Sequence, residues 1–532
     1  MVLQGLLQSG SSALERATRY AEKNPLVVAL VVLPAVYTLV KSKARKRAKY
    51  VQYPSPPSTL PILGNTLDSV KNRPRFHDWI YSLCKHFKGK PFLLRTIGRP
   101  DLIMLTNPEQ WEDVLKTHFD NFPKGPYKFE MLEDLFGRGI FATDGEVWAR
   151  QRKTASNLFT ARSLRESMSK TIRKYTHILI RVLDKASASG ATIDLFKILN
   201  QFTMEAFAEI GFGIEMNGLE TEKEHEFQQS FDRALAALML RIVRPAWLWR
   251  LERWLNIGSE RQLKEDVKVI DKTMLDIIAQ SFEKWQKRTS DGDTTDLVSL
   301  FLDQNGKSRD AKEAVFDTRD LRDLLANFLL AGRDTTAQSL SWFLLNMSRH
   351  PEVADKIRAE IKHVIPELMD GSLQTPTAEQ VQQLTYLEAA LKESLRLYPI
   401  VAFQSRHAME DVVLRDGTFI PKDTHVGMPS YSMGRMEHVW GPDATEYKPE
   451  RWIDPETTKL IAVSAFKFTA FHSGPRICLG MNLAMLEMKI VAASLLSRMD
   501  IEILNEDQIT YDFSITLPIR GEMLATVKTL AN

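Results

Sequence analysis

Two cysteines occur in the 532-residue chain, Cys84 and Cys478, and the second lies in the stretch Phe471 to Gly480, FHSGPRICLG. A thiolate on haem iron is a strong electron donor and favours cleavage of the O–O bond. Such a thiolate must be kept from water and held by backbone N–H groups. That calls for a tight loop, and Gly474 and Gly480 open backbone conformations closed to other residues. Arg476, two residues ahead of the cysteine, could pair with a cofactor carboxylate. Met481 to Met488 predicts a helix whose N-terminal dipole would stabilise the thiolate charge. His472 is a second potential ligand, but the thiolate already accounts for such a site, and His is more often a neutral polar neighbour. By itself a lone cysteine is commonly a small buried hydrophobe, so residue type alone leaves both readings open.

A second constellation is Ala331-Gly332-Arg333-Asp334-Thr335-Thr336. Gly and Thr are poor residues for a helix interior. A Thr hydroxyl can bond back to the preceding turn and bend the helix, opening a groove for dioxygen and water. Asp334 and Thr335 would then deliver protons for O–O cleavage. An ordinary cap or bend explains the same six residues equally well. Elsewhere, Glu393 and Arg396 share one helix face, as do Trp148 and Arg152, four apart; such pairs are usually simple surface or helical contacts.

The elements that position these groups are mostly helical. Leu321, Leu324, Leu325, Phe328 and Leu329 recur with helical period, and the apolar pattern runs on to Pro351. A helix of about thirty residues, well beyond the usual length, should cross the core. Strands are expected to be short and few: Phe92 to Ile97, Asp101 to Leu105, and segments near Val412, Phe419 and Met523. Gly371 to Thr377 and Thr289 to Thr295 read as polar loops within one body.

The spacing F-x-x-G-x-R-x-C-x-G from Phe471 to Gly480 resembles the haem-binding signature of the cytochrome P-450 family. Glu393, Arg396 and, in Pro449-Glu450-Arg451-Trp452, Arg451 resemble its Glu-Arg-Arg network, with Trp452 where Phe is frequent. The resemblance covers the chain from about Tyr53 to the end. It implies a mainly α fold with small β-sheets, haem b as cofactor, and Cys478 as the metal ligand, with Phe471, Gly474 and Arg476 in its loop. By the same resemblance Trp148, Arg152 and Arg406 would hold haem propionates, and Asp334 and Thr335 would be catalytic. Thr335 argues against members that rearrange peroxides without dioxygen. Asn121 to Arg165 and Tyr431 to Trp452 look like the fatty acid ω-hydroxylase branch of plants and fungi. That implies a fatty acid substrate, dioxygen, and NADPH electrons from a separate NADPH–cytochrome P-450 reductase meeting the basic side of the domain. No G-x-G-x-x-G follows a strand, so the chain carries no nucleotide signature of its own. A sterol or alkane substrate, or a haem protein without turnover, are the alternatives. Channel walls would come from Phe122 to Phe141, Phe328 to Ala331, Ile400 to Phe403 and Ser514 to Leu517.

Composition fits this frame. A formal charge of +3 is too small to argue for nucleic acid. Two cysteines allow at most one disulfide, which suits a reducing compartment. Pro25 to Val40, PLVVALVVLPAVYTLV, carries no charge and sits at the short limit for a spanning helix. Lys41 to Lys49 holds six Lys or Arg residues. The positive-inside rule then sets the remainder of the chain in the cytosol. The expected organisation is an N-terminal segment, 1–24, able to form an interfacial helix; a transmembrane anchor, 25–40; a basic and proline-rich linker, 41–65; and a haem-thiolate catalytic domain, 66–532. Together with the family resemblance, this implies a single-pass protein of the endoplasmic reticulum membrane. Leu235 to Leu255, rich in Trp and Arg, suits either a surface dipping into lipid headgroups or a core-facing amphipathic helix.

Overall fold

The computed structural model describes residues 53–159, 167–221, 226–286, 298–299, 301–302 and 318–530. The expected N-terminal helix, transmembrane anchor and basic run lie outside the described residues, as does the loop Thr289 to Thr295. Among the described residues no helix is long and apolar enough to cross a membrane. Residues 55–532 form one compact unit. The end of the proline-rich segment is pinned to that unit, because Asn65 N–H donates to the Arg95 carbonyl at 2.6 Å.

The longer helices, in chain order, are α1 Phe76–His86, α2 Pro126–Phe136, α3 Gly145–Leu158, α4 Ser169–Ser189, α5 Leu195–Phe212, α6 Glu226–Val243, α7 Ala246–Leu255, α8 Gly258–Gln286, α9 Thr318–Arg349, α10 Pro351–Val364, α11 Thr385–Leu397 and α12 Met481–Leu496. Among the described residues there are also three small sheets. One has the order β1-β2-β7-β4, formed by Phe92–Leu94, Leu102–Met104, His425–Met428 and Gln404–His407. Within it β2 runs parallel to β7, and the other pairs are antiparallel. The second joins β3 Ile193–Asp194, β9 Leu524–Thr529 and β8 Met499–Ile503; the third pairs β5 Val412–Val413 with β6 Phe419–Ile420. The fold is mainly α with small sheets, as expected.

The long helix α9 spans 32 residues and ends where Pro351 starts α10. Its burial is close to continuous from Leu321 to Met347. Within that run only Ala331, Gly332 and Thr335 keep intermediate exposure. Asn327, which α9 carries into the core, is tied down: it donates to the carbonyls of Phe136 (3.0 Å) and Asp323 (2.6 Å). Such bonding offsets the desolvation of a buried amide. α12 is also buried along most of its length.

The Leu235 to Leu255 stretch is two helices, not one, divided at Pro245. Leu235, Leu238 and Trp249 face the core, whereas Trp247, Leu251, Trp254 and Leu255 are exposed. Arg241 ties this region together. It is buried, pairs bidentately with Glu260 of α8 (2.8 and 2.5 Å) and reaches Asp134 of α2 at 2.7 Å.

Candidate active site

The Phe471–Gly480 stretch folds back on itself through two main-chain bonds: Cys478 N–H to the Phe471 carbonyl (2.8 Å) and Ile477 N–H to the Gly474 carbonyl (3.0 Å). Gly474 has φ +66°, and a Cβ there would overlap the Leu115 carbonyl oxygen of a neighbouring turn. Both observations require glycine. α12 starts three residues after Cys478, with Gly480 at its cap. Burial raises the Cys478 thiol, while the Gly480 N–H and the Arg152 charge favour the thiolate. Cys478 nonetheless has exposed surface. Arg152 donates to the Ile477 carbonyl at 2.7 Å, so this helix α3 side chain steadies the loop next to the sulfur.

Behind the loop lies the buried carboxylate Glu393. Arg396 grips it bidentately at 2.7 and 2.7 Å, and Arg451 reaches it at 3.4 Å. Arg396 also donates to the carbonyls of Ala444, Glu446 and Gly434. The pair is therefore a buried network rather than a solvated surface contact, and its unmet valences are filled by backbone, as buried charges require. Trp452 uses its indole N–H on Glu393 at 2.9 Å, a bond that Phe could not make. Its ring packs edge-on to Phe468 at 4.7 Å, just ahead of the cysteine loop.

Arg406 and Arg476 converge beside this loop. Arg476 pairs with Asp144 at 2.5 Å and lies 4.2 Å over the Trp148 ring. Arg406, on β4, donates to His472 Nε2 at 2.7 Å. Burial, then the Arg406 charge, holds His472 well below the usual range. Its Nδ1 meets both the Ser473 carbonyl (2.8 Å) and the Ser473 N–H (2.6 Å). His472 is thus a polar neighbour of Arg406.

Two lysines that the sequence reading did not single out join these arginines. Lys124 is buried, with Nζ on the carbonyls of Ile140 (2.8 Å) and Phe141 (2.7 Å). Burial, then neighbouring cations, pushes Lys124 well down, Lys128 to about 7, Arg406 to about 9 and Arg476 to about 10. Asp144 is the carboxylate that acts on all four. Arg406 Nε and Arg476 Nε are buried without a hydrogen-bond partner among the described residues. Uncompensated buried cations are costly. An arrangement with more positive charge and more donors than its own carboxylate can satisfy fits a ligand bearing carboxylates. A thiol bordering the same interior would meet a metal at its centre. The residues present therefore fit haem: Cys478 would hold the iron, and Arg406, Arg476, Lys124 and Lys128 would hold the propionates. The one sequence signal for the lysines is their i, i+4 spacing across the start of α2.

On α9, Thr335 Oγ1 donates back to the Ala331 carbonyl at 2.5 Å. The expected back-bond is present, and the helix remains α-helical through it. Gly332 has a packing role: a Cβ there would overlap the Phe207 ring of α5. The residues with accessible surface, Ala331, Gly332 and Thr335, mark where this buried helix borders open space. Next to them Asp334 is buried and is raised to about 6, by burial first, with Arg333 opposing and Asp232 adding to the rise. Glu487 of α12, also missed in sequence, is raised to about 8 by burial, and its resolved partner is Thr336.

Comparison with known proteins agrees with this geometry. Residues 54–524 match the family model described as Cytochrome P450. The chain is 36% identical over 484 residues to Cytochrome P450 94B1 of Arabidopsis thaliana, covering 89% of this chain and 92% of that protein. It is 35% identical to Cytochrome P450 CYP94D108 of Paris polyphylla, over 87% of this chain and 90% of the other. To Cytochrome P450 86B1 of Arabidopsis thaliana it is 33% identical, over 94% and 89% respectively. A match of that extent, on a helical body that presents a loop-held cysteine among buried cations, means that the chain belongs to the cytochrome P450 family of haem monooxygenases.

Proposed function

We propose that the protein hydroxylates fatty acids at the terminal methyl. NADPH electrons would come through a separate NADPH–cytochrome P-450 reductase, and the protein would be anchored by residues 25–40 in the endoplasmic reticulum membrane with its catalytic domain in the cytosol. Bound haem supplies the oxidising chemistry: one atom of dioxygen enters a C–H bond and the other leaves as water, consuming two electrons and two protons. The chain's residues do the rest. Cys478 is the iron ligand, its charge favoured by the Gly480 N–H and by Arg152. Arg406, Arg476, Lys124 and Lys128 hold the propionates, Trp148 backs Arg476, and the Glu393 network fixes the loop from behind. Protons pass from Asp334 to Thr335, whose hydroxyl stands at the accessible part of α9.

The observation that carries the reading is this pairing within one chain of an accessible, loop-held thiol and a buried, proton-competent carboxylate beside an accessible threonine. A haem carrier has no need of the second half. The substrate class rests on the resemblance of Asn121 to Arg165 and Tyr431 to Trp452 to fatty acid ω-hydroxylases. Terminal methyl C–H bonds are the strongest of an alkyl chain, so such a reaction depends on positioning more than on intrinsic reactivity. Reconstitution of the full-length protein with reductase, NADPH and medium- and long-chain fatty acids, read by mass spectrometry, tests it. Terminal hydroxylation is expected. Turnover of a sterol or alkane but not of fatty acids overturns the substrate, and absence of turnover with every class overturns the monooxygenase reading.

A further inference from the structure

Arg333 is almost fully buried, and its guanidinium meets two carboxylates on different helices. Its Nε lies 2.9 Å from Oδ1 of Asp334, the next residue of α9, and its Nη2 pairs with Asp232 of α6. Asp334 is buried, whereas the Asp232 side chain is 49% exposed. The guanidinium also lies 6.0 Å from the Phe231 ring, the residue beside Asp232. α6 packs chiefly on α8, an attachment reinforced by Arg233 on Asp266 at 2.6 Å. The Arg333–Asp232 pair therefore joins α6 to the proton-carrying turn of α9.

We propose that Asp232 is a positioning residue for proton delivery: by holding Arg333 it keeps that charge from pairing fully with Asp334, and so leaves Asp334 able to take up and release a proton. The inference rests on the reading of Asp334 as a proton donor. One cation facing one buried carboxylate would lock the carboxylate in its ionised form. One cation facing two cannot neutralise both, and the exposed one, which water can also solvate, keeps its charge at less cost. Other charged groups around this turn act elsewhere: Glu487 of α12 bonds Thr336, and Glu205 of α5 accepts from the Leu219 N–H. α5 meets Gly332 with Phe207. The balance at Asp334 is accordingly set by Arg333 and Asp232, the two charges that act on it.

The test uses the full-length, haem-loaded protein with D232N, D232E and D334N. Infrared difference spectra followed against pH identify the protonated carboxyl band that D334N abolishes. In D232N that band should titrate about one pH unit or more lower than in the wild type, and in D232E at the wild-type position. With reductase, NADPH and dodecanoic acid, product per NADPH at neutral pH should fall by up to about tenfold in D232N, the loss of protonated fraction that such a shift gives. The activity maximum should move to lower pH, KM should be unchanged, and D232E should restore both. An unmoved infrared midpoint in D232N overturns the proposal. If the midpoint moves but D334N forms product as efficiently as the wild type, Asp334 is not the donor and the underlying reading fails instead.

Discussion

Replacing Arg406 by Met should have opposite effects on the haem-depleted and haem-loaded protein. The guanidinium is buried and held well below the usual arginine range, at about 9, by burial and then by the Arg476 charge. A base whose folded value is depressed costs stability wherever it is charged in the folded state, so the cost is full below about pH 9 and shrinks above it. At ~1.4 kcal/mol per pH unit, the depression corresponds to roughly 5 kcal/mol against the haem-free fold. Methionine has a similar stem and removes that cost, but it leaves the buried His472 Nε2 without its donor, a loss of about 1–3 kcal/mol. Haem-depleted R406M should therefore be more stable than wild type by about 2–4 kcal/mol at neutral pH, with the gap closing in strong alkali. In the loaded protein the same change removes a charge-assisted bond to a propionate, worth about 1.5–3 kcal/mol, so haem should dissociate about 10- to 150-fold faster. Urea unfolding of the haem-depleted protein and haem transfer to an excess of an apo-globin acceptor measure the two sides. A variant that is less stable without haem and that releases haem at the wild-type rate would show that Arg406 is a structural cation, and the argument from uncompensated charge would fail.

Three other substitutions probe the surrounding elements. Glu487 has a folded value of about 8 against an ordinary 4.5, so wild-type stability should fall as pH rises through that window. E487Q should remove up to roughly 5 kcal/mol of that fall, at ~1.4 kcal/mol per pH unit, with the two proteins equal near pH 4 in denaturant titrations. G332A should cost about 1–3 kcal/mol by pushing on the Phe207 ring, and F207L in the same chain should recover much of it in thermal unfolding. W452F removes one of several donors to Glu393, so its unfolding free energy should drop by about 1–2 kcal/mol while the haem absorption spectrum keeps its thiolate form.

What the sequence makes legible is the chemistry that is compressed into consecutive residues. The cysteine loop fits into Phe471–Gly480 because one tight turn must both expose a sulfur and supply its N–H donors. The long helix shows because its apolar period repeats over 32 residues. Short strands have no such redundancy. β4, Gln404–His407, is polar and four residues long, and β7 contains Gly427, where a Cβ would crowd Met104 and Phe403. Neither carries enough alternation to register as a strand; their pairing is a tertiary event. Gly332 illustrates a different limit. Its cost in helix propensity was legible, but the reason is a ring on α5 that no local pattern encodes. The charge balance is the least legible part of all. Lys124, Asp144, Arg406 and Arg476 come from four separate segments; the two arginines stand out in the sequence, but Lys124 and Asp144 read as ordinary surface ions. Asp232 reads as one more acidic residue on an amphipathic helix, 101 positions before the arginine it holds. Its significance arises only because folding buries Arg333 between two carboxylates and leaves just one of them within reach of water.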